Sequence, residues 1–587
     1  MKPEHSWRYR LIGALLLVVP VLIFFQLFRI QISPEQRQRF QEQINSISGE
    51  TADIVPPRGL IYDRNGELLA GNQTVYEVGV ELAQVTDIDT IVLALSSVLG
   101  EDQSKISGLI RDGMANNAIH VTIANYVSQD QHDKLVGMQE EFDRLFQNVH
   151  GKAARSLNGL SFQPFLQRTY PEKSQASEIL GFVNRQGRGY FGVEEKYNDW
   201  LAGKSRQVWW PYDPVEAARL PDVPEGTSLV LTIDRSIQAS MEDLIDQEVD
   251  KTGSDSGTIV VLDPKTGEVL AMATTPRMDL NQYWLAEKIF SPGTPFNRAV
   301  SGTYEPGSVY KVLTMAAGLD SGAVTPDTEF LDRGVIEIGG TVIRNWNGGA
   351  WGPQDMQGCM QHSLNVCLAW VAKRMGPSTF YTYMQRFGIG HLSGVDMAGD
   401  VPGRLKLPGD SDWYEADLGT NAFGQGVAAT PLQMASAISA VANDGKIMAP
   451  HVVRSLISKG YQKDIEPQVI STPLTSKTAQ TLSELLARSL ENESSDALVD
   501  GYRVAGKTGT AEIPTPFGYT SDLTNASFVG WGPVDNPRFL VYIWLEKPRT
   551  SQWGSEVAAP VFRQAVERLV LLMNIPPDNI RKQLLGQ

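Results

Sequence analysis

The sequence predicts a mixed α/β (α+β) protein in which one transmembrane helix precedes a β-rich domain and a larger domain with a central antiparallel sheet flanked by helices. Three observations predict this organisation. Residues 11–28 are almost uniformly apolar, two apolar runs in 55–80 are joined by a polar turn, and strand-like and helix-like patterns alternate from residue 225 onward. At 587 residues the chain is long enough for several domains.

The apolar segment is the first element. Residues 11–28 read LIGALLLVVPVLIFFQLF, and with Ile30 and Ile32 they approach the ~20 residues that cross a bilayer. No small-residue cleavage site follows, so the segment 11–32 predicts an uncleaved anchor rather than a removed signal peptide. Basic residues occur on both sides of it, and the charge rule therefore leaves the orientation open.

The segment 33–224 predicts the β-rich domain. A Pro-Pro-Arg-Gly opening and an Asp-Arg-Asn-Gly turn between two apolar runs indicate a β-hairpin within 55–80. The pattern is helical between residues 83 and 147, and a second Gly-rich element covers 181–203. We therefore expect a hairpin, a helical stretch and a glycine-rich element in that order.

Residues 225–587 predict the larger domain. A strand and an amphipathic helix are expected in 228–249, and two β-branched strands joined by an Asp-Pro-x-x-Gly turn in 257–276. Another strand pair follows in 525–548, and 560–574 has the pattern of a closing amphipathic helix. Strand pairs with such short turns predict an antiparallel sheet.

Composition excludes some function classes. Hydrophobic residues make up 42% of the chain and charged residues 20%, which is enough apolar material for sizeable cores. The net charge of −16 argues against a nucleic-acid partner, because phosphate binding needs a Lys/Arg-rich face.

Cys359 and Cys367 are the two cysteines of the chain, which excludes a disulfide framework and a Cys-based zinc cluster. In one continuous helix their spacing would separate them by roughly 12 Å, too far for a bond. The sequence therefore favours free, buried thiols, although a bend between the two would reopen the question.

The chain contains one Ser-x-x-Lys motif, Ser308-Val309-Tyr310-Lys311. It follows a Glu-Pro-Gly turn and opens a helix-forming run, so Ser308 should lie at a helix N-terminus with the Lys311 amine on the same face. Serine is a weak nucleophile until a base takes its proton, and burial together with the positive helix end would lower the pKa of Lys311 for that task. Exposed backbone N–H groups there could bind an oxyanion.

Two further motifs accompany it, although each occurs more than once. Ser-Leu-Asn is found at Ser156 and Ser363, and Lys-Thr-Gly at Lys251, Lys265 and Lys507. Lys265 lies in a predicted hairpin turn, Lys251 in a predicted Ser/Gly/Asp loop, and Ser156 in the N-terminal domain. Context thus leaves one ordered set, SxxK, SxN and KTG, in a single domain.

The remaining Lys-Thr-Gly has its own local context. It follows an apolar run and reads as part of a strand, Lys507-Thr508-Gly509-Thr510. Gly506 and Gly509 flank the lysine, and we expect them to let a substrate backbone approach closely.

With these motifs the sequence resembles the class B penicillin-binding proteins. The resemblance extends over nearly the whole chain, with Leu364 in place of the aspartate of the SDN form of the second motif. It is carried by RGLIYDRNGELLA, GYFGVEEKYNDWLAG, LTID, VLDPKTGEVLAMATTP, NRAVSGTYEPGSVYK, SLN, GQGVAATPLQMASAISAVANDG, AGKTGTAE and ASFVGWGP.

The resemblance implies a peptidoglycan D,D-transpeptidase that is acylated and inhibited by β-lactams, with no cofactor and no metal. It implies a role for each matched residue: Ser308 as nucleophile, Lys311 as base, Ser363 and Lys507 as proton relay, Asn365 as holder of the donor peptide, Thr508, Gly509 and Thr510 as substrate and oxyanion-binding residues. The substrates would be a D-Ala-D-Ala donor stem and an acceptor amine of a neighbouring stem.

The resemblance also implies topology and partners. Residues 1–10 would be a cytoplasmic tail, 11–32 the anchor, 33–224 an elongated pedestal resembling a dimerisation domain, and 225–587 an extracytoplasmic transpeptidase domain. A membrane-embedded glycan polymerase of the SEDS type is the implied partner. We expect structural roles in the pedestal for four of its residues: Arg58, Asp63, Arg64 and Gly66.

Other functions share part of this pattern. A β-lactamase or D,D-carboxypeptidase has the same motifs but transfers the acyl group to water, and a penicillin-binding sensor or scaffold is acylated without turnover. The long pedestal argues against a free β-lactamase. A Ser-His triad esterase is disfavoured because GxSxG is absent and His362 has the context of a helix residue.

Overall fold

The computed structural model describes residues 6–32, 49–146, 155–211, 224–515 and 518–584. The first half of the predicted tail, residues 1–5, and most of the polar stretch after the anchor, residues 33–48, lie outside the described residues. The described residues form two compact units, one within 1–57 and 203–225 and the other within 58–202 and 226–587.

The helices have the following bounds: α1 Ser6–Ile32, α2 Ile88–Leu99, α3 Gln103–Ala115, α4 Gln129–Phe146, α5 Ser177–Leu180, α6 Gly192–Lys196, α7 Asn198–Ala202, α8 Arg235–Thr252, α9 Ala286–Ile289, α10 Arg298–Ser301, α11 Lys311–Asp320, α12 Met356–Gln361, α13 Asn365–Met375, α14 Pro377–Arg386, α15 Glu415–Asn421, α16 Pro431–Ala442, α17 Ser476–Asn492, α18 Gly554–Val557, α19 Ala559–Leu572 and α20 Asp578–Leu584. Short 3₁₀ helices cover Leu82–Gln84, Leu280–Leu285 and Gly307–Tyr310.

The strands have the following bounds: β1 Gly49–Ile54, β2 Ile61–Tyr62, β3 Leu68–Glu81, β4 His120–Val127, β5 Leu160–Thr169, β6 Phe182–Val183, β7 Gly189–Tyr190, β8 Arg206–Pro211, β9 Ser228–Leu231, β10 Ser256–Leu262, β11 Val269–Thr274, β12 Phe330–Asp332, β13 Val335–Ile338, β14 Thr341–Arg344, β15 Gly352–Gln354, β16 Ile447–Met448, β17 Val453–Ser458, β18 Tyr461–Asp464, β19 Val469–Ser471, β20 Ala505–Thr515, β21 Gly518–Gly532 and β22 Phe539–Glu546.

The smaller unit contains α1 and the antiparallel pair β1–β8. Among the described residues, the segment Trp7–Arg29 of α1 is the one helix long and apolar enough to cross a membrane. The expected N-terminal apolar helix is therefore confirmed, although it begins at Ser6 rather than at residue 11.

The five-stranded antiparallel sheet is the centre of the larger unit, with strand order β11-β10-β22-β21-β20. Both of its faces are buried, because successive side chains of a strand point to opposite sides. Ile259 and Val261 of β10 pack with α8 and α19 on one face, while Val260 and Leu262 belong to the core on the other face. The predicted antiparallel sheet flanked by helices is confirmed.

A second sheet combines strands from distant parts of the chain. Its order is β18-β17-β9-β2-β3-β4, with β5 also paired to β3, and β2 and β9 run parallel. The predicted hairpin is confirmed as β2–β3. The helical stretch predicted over 83–147 contains α2, α3 and α4 but also strand β4, which we did not predict.

A buried ion cluster joins the glycine-rich element to the chain at Arg58. The Glu194 carboxylate accepts from Arg58 Nε and from Arg168 Nε, both at 2.7 Å, and its side chain is fully buried. The carboxylate of Asp63, also buried, accepts from the backbone N–H groups of Asn65 and Glu67 and so closes the hairpin turn.

Arg64 and Gly66 also have structural roles. Arg64 pairs with Glu268 at 3.2 Å, and Gly66 has φ +90°, a conformation that favours glycine. These contacts confirm structural roles for Arg58, Asp63, Arg64 and Gly66.

Replacement of Glu194 by glutamine should reduce the free energy of unfolding by about 3–5 kcal/mol, since it leaves two buried guanidinium groups without their carboxylate. The shift in the urea unfolding midpoint of the full chain, followed by tryptophan fluorescence, measures the effect. Glu195→Gln is the matched control, because Glu195 is exposed and glutamine can still accept from the Phe191 N–H. Equal shifts of the unfolding midpoint in the two variants would show that the buried ion cluster contributes no more to stability than an exposed carboxylate does.

Candidate active site

Ser308 lies in the 3₁₀ turn Gly307–Tyr310 that leads directly into α11. Gly307 has φ +58°, and a Cβ there would lie 2.8 Å from Ala511 Cβ and 2.9 Å from the Thr510 carbonyl oxygen. The absence of a side chain at Gly307 therefore lets the turn pack directly on β20. The prediction that Ser308 begins a helix is confirmed, and the turn brings it beside the strand that carries the third motif.

Lys311 is fully buried at the start of α11. Its Nζ donates to the Ser363 carbonyl oxygen at 2.6 Å and lies 3.1 Å from Ser363 Oγ. Within the described ranges its hydrogen bonds go to Ser363 and none goes to Ser308. The first two motifs thus meet through Lys311.

Burial lowers the pKa of Lys311 well below its ordinary value, and the positive charge of Lys507 lowers it further. Burial also lowers the pKa of Lys507, to about 8, against the opposing effect of Glu493. Two amines with lowered pKa values at one site are typical of proton-transfer chemistry.

The Ser-Leu-Asn motif lies in the sharp turn between α12 and α13. Ser363 has φ +53°, the left-handed region that non-glycine residues rarely adopt. The Ser363 N–H donates to the Met360 carbonyl at 3.2 Å, and the Leu364 N–H donates to the Cys359 carbonyl at 3.0 Å. The motif therefore lies at a break between two helices and not within one.

This break corrects the expectation for the cysteines. A disulfide joins Cys359 of α12 to Cys367 of α13, and their Cα atoms are 6.0 Å apart. The prediction of free thiols is wrong because it assumed one continuous helix, whereas the chain turns back at 362–364. His362 ends α12 and stacks on Trp351 with ring centroids 4.1 Å apart.

Asn365 is the first residue of α13 and is partly exposed. Its Nδ2 donates to the Arg344 carbonyl at 3.1 Å. The next residue, Val366, donates its N–H to Asn345 Oδ1 at 3.2 Å. The start of α13 is thereby fixed to the last residue of β14 and to the residue that follows it.

The third motif lies on β20, the edge strand of the central sheet, so its strand prediction is confirmed. Lys507 is buried, with Nζ 3.3 Å from both the carbonyl oxygen and Oγ1 of Thr508. Thr510 Oγ1 accepts from the Gly554 N–H at 3.0 Å. Thr508 and Thr510 are partly exposed on this edge.

We expected Gly506 and Gly509 to let a substrate backbone approach closely, but the structure gives another reason for the missing side chains. A Cβ on Gly509 would lie 2.2 Å from Ser527 Oγ and 2.9 Å from Val309 Cγ1. A Cβ on Gly506 would lie 2.7 Å from the Val529 carbonyl oxygen. Packing within the protein itself therefore accounts for the two glycines.

The repeated motifs that the sequence led us to set aside lie elsewhere. Lys265 occupies the turn between β10 and β11, as predicted, and Ser156 precedes β5. Lys251 was predicted in a loop, but it lies in the last turn of α8 because the helix continues to Thr252 before Gly253 ends it.

Sequence reasoning missed two carboxylates at the site. Glu305 accepts from the Gly426 N–H and from the Tyr519 hydroxyl, each at 3.0 Å. Glu493 follows α17, and its Oε1 lies 3.9 Å from His362 Nδ1. Its negative charge raises the pKa of Lys507. Glu305 comes directly before the Pro-Gly of the turn that contains Ser308, and this position was a usable signal, whereas the sequence around Glu493 gave none.

Comparison with protein families assigns these features. The model described as "Penicillin-binding Protein dimerisation domain" matches residues 53–209, and that described as "Penicillin binding protein transpeptidase domain" matches residues 257–567, more than half of the chain. The second match includes Ser308, Ser363 and Lys507. The chain belongs to the class B penicillin-binding proteins.

Several relatives of this class B penicillin-binding protein align with most of its length. Stage V sporulation protein D of Bacillus subtilis is 30% identical over 86% of this chain and 77% of its own. PbpB of Mycolicibacterium smegmatis is 30% identical over 97% and 91%, and the peptidoglycan D,D-transpeptidase FtsI of Escherichia coli is 26% identical over 98% and 93%.

Solved structures show the same fold. Penicillin-binding protein 3 of Mycobacterium tuberculosis in complex with aztreonam has a TM-score of 0.67 at 25% identity, covering 90% of this chain and 98% of that one. Penicillin-binding protein 2X of Streptococcus thermophilus has a TM-score of 0.73 at 22% identity, covering 89% and 80%. The predicted family and fold are confirmed.

Proposed function

We propose that this class B penicillin-binding protein is a peptidoglycan D,D-transpeptidase whose acylated nucleophile is Ser308. One observation carries the proposal: the buried Lys311, with a lowered pKa, starts the helix of Ser308 and contacts Ser363. Relatives named peptidoglycan D,D-transpeptidase support the same reaction.

In the acylation step, Ser308 Oγ attacks the penultimate D-alanine carbonyl of a donor stem while Lys311 takes its proton. The backbone N–H groups of Ser308 and Thr510 bind the oxyanion. The C–N bond then breaks, and the proton passes through Ser363 and Lys507 to the departing D-alanine amine.

The donor is held by groups at the rim of the site. The Asn365 amide would bind the donor peptide, and Thr508, Gly509 and Thr510 would bind along the edge of β20, with the two threonine hydroxyls facing the terminal carboxylate. Thr510 Oγ1 already accepts from the Gly554 N–H, so its own O–H is available to donate.

An amine from a neighbouring stem completes the reaction by attacking the acyl-enzyme and releasing Ser308. A β-lactam ring acylates the same serine because it mimics D-alanyl-D-alanine, but when its C–N bond breaks the leaving amine stays covalently attached to the acyl group and cannot depart. One related protein, penicillin-binding protein 3 of Mycobacterium tuberculosis, has been crystallised with aztreonam and with ampicillin.

The topology follows from the location of the substrate. We propose that α1 is a single-pass anchor, that residues 1–10 are cytoplasmic, and that residues 33–224 form a pedestal for an extracytoplasmic catalytic domain, residues 225–587. A glycan polymerase of the SEDS type in the same membrane would supply the uncross-linked strands.

Acylation by labelled penicillin, followed by measurement of the deacylation rate and of product formation from a donor stem and an acceptor amine, tests the proposal. A transpeptidase deacylates slowly after β-lactam binding and forms a cross-linked dimer. Rapid penicillin hydrolysis would indicate a β-lactamase, release of D-alanine without a dimer a carboxypeptidase, and acylation without any turnover of stem peptides a sensor.

The pH dependence of acylation should respond to Glu493. Burial lowers the pKa of Lys507 to about 8, and the Glu493 carboxylate keeps it from falling further. Burial also lowers the pKa of the neighbouring His362, which favours the neutral imidazole and leaves the negative charge of Glu493 to act on Lys507. In the proposed relay the protonated Lys507 is the active form, so Glu493→Gln should lower the pKa of Lys507 and move the alkaline limb of the acylation rate to lower pH.

Rates of penicillin acylation between pH 6 and 10 would test this shift, a range of about two units either side of the pKa of Lys507. Glu567→Gln removes an exposed carboxylate on α19 and serves as the control for a general loss of negative charge. An alkaline limb that stays in place, or that moves upward, would exclude this role of Glu493.

A further inference from the structure

The disulfide Cys359–Cys367 encloses the Ser-Leu-Asn motif. Both cysteines are fully buried, one on α12 and the other on α13, and the residues between them form the turn that presents Ser363 and Asn365. They are the only cysteines in the sequence, so the bond has no alternative partner within the chain.

The turn inside the disulfide is strained at the residue that contacts Lys311. Ser363 holds φ +53°, and a left-handed non-glycine residue persists only where its surroundings fix it. The Leu364 N–H bonds to the carbonyl of Cys359 itself, so the backbone of this cysteine also fixes the turn. The disulfide and this hydrogen bond together hold both sides of Ser363.

The helices on either side have other attachments. Gln357 of α12 donates to the Leu485 carbonyl at 3.1 Å and to Ser489 Oγ at 2.9 Å, both on α17. On α13, the Val366 N–H is capped by Asn345 Oδ1. These contacts would keep the helices docked without the disulfide, whereas the turn between them would lose a covalent constraint.

We propose that the Cys359–Cys367 disulfide positions Ser363 against Lys311, so that acylation of Ser308 depends on the bond. The inference rests on the proposed function, because Ser363, the residue that the disulfide would position, belongs to the proton path of that reaction. Cys359 and Cys367 are positioning residues, since they touch neither substrate nor the reacting atoms. An extracytoplasmic location, where disulfides form and persist, agrees with such a requirement.

The test compares the full-length oxidised protein with the variant Cys359→Ala/Cys367→Ala. The limiting acylation rate k2 for labelled penicillin should fall about tenfold or more, because a 1 Å misplacement of a catalytic group can cost about 10²-fold. The non-covalent binding constant K should change little, since the β20 edge is intact and Asn365 Nδ2 keeps its hydrogen bond to the Arg344 carbonyl. All rates are measured well below the thermal unfolding midpoint of each protein.

Val371→Ala is the matched control for lost stability. Val371 is fully buried on the same helix α13, beyond Cys367 and away from the turn. The control should lower the unfolding midpoint and leave k2 unchanged. A merely structural role of the disulfide would lower the midpoint and leave k2 unchanged in the double variant as well.

Reduction provides a second route that needs no substitution. The phosphine TCEP supplies two electrons to the bond and becomes the phosphine oxide with an oxygen from water, which leaves two thiols that a thiol reagent counts after denaturation. Reduced wild-type protein should show the same loss of k2, re-oxidation should restore it, and the double alanine variant should not respond to TCEP.

The outcomes separate the two proposals. A normal k2 in the double variant or in the reduced protein overturns the role of the disulfide while leaving the proposed function intact. Failure of the oxidised wild-type protein to be acylated overturns the proposed function itself. If the double variant does not fold, the k2 of the reduced protein decides the matter.

Discussion

Replacement of Ser308 by alanine is expected to abolish covalent labelling by fluorescent penicillin. In the proposed mechanism the acyl ester forms on the Ser308 hydroxyl, so its removal leaves the reaction without a nucleophile. Loss of one partly exposed hydroxyl in the 3₁₀ turn before α11 should leave the thermal unfolding midpoint close to that of the wild type.

Ser321→Ala is the matched control for this substitution. Ser321 is an exposed serine at the other end of the same helix, where its hydroxyl bonds to the Gly318 carbonyl. Labelling of this control at the wild-type rate, with none in Ser308→Ala, is the expected pair of results. Labelling that persists in Ser308→Ala would mean that another residue is the nucleophile.

Lys311→Met should reduce the acylation rate constant by about 10²–10⁴-fold, the usual contribution of a general base. Methionine has a similar volume, and the loss of one hydrogen bond to the Ser363 carbonyl should reduce the free energy of unfolding by about 1–3 kcal/mol. The Ser363 carbonyl loses its donor, but the packing of α11 remains. Stopped-flow measurement of penicillin acylation gives the rate constant.

The control for Lys311→Met is Lys373→Met, which removes an exposed lysine from α13. It should leave the rate unchanged. The pH profile adds a second check, because burial lowers the pKa of Lys311 and the neutral amine is the proposed base. Wild-type acylation should therefore rise with pH well below the ordinary pKa of a lysine, and that limb should disappear in Lys311→Met. An acylation rate within about tenfold of the wild type would exclude Lys311 as the base.

Local patterns were enough to predict much of the fold and the candidate site. The Glu-Pro-Gly turn before a helix-forming run correctly predicted the position of Ser308, and the apolar run before Lys507 correctly predicted a strand. The Asp-Arg-Asn-Gly turn likewise predicted the β2–β3 hairpin. In each case the structure is determined by residues within a few positions of one another.

The disulfide could not be predicted in this way. The break between α12 and α13 contains neither glycine nor proline, and its left-handed residue is Ser363. The sequence pattern therefore predicted one continuous helix through the turn, in which Cys359 and Cys367 would be too far apart to bond. Tertiary contacts, such as that of Ser363 with Lys311, determine the break.

Long-range pairing explains the other differences. The second sheet joins β2 to β9 and β9 to β17, segments far apart in the sequence, so no local pattern could show that they share one sheet. The same is true of Glu493 and His362, which approach each other only because α17 packs against α12.

Peptide mapping of the penicillin adduct tests the identity of the nucleophile most directly. The full-length protein is acylated with labelled penicillin, digested, and the modified residue located by mass spectrometry. We expect one adduct per chain, on Ser308. An adduct on Ser363 or on any other residue, or no covalent adduct at all, would contradict the proposed mechanism.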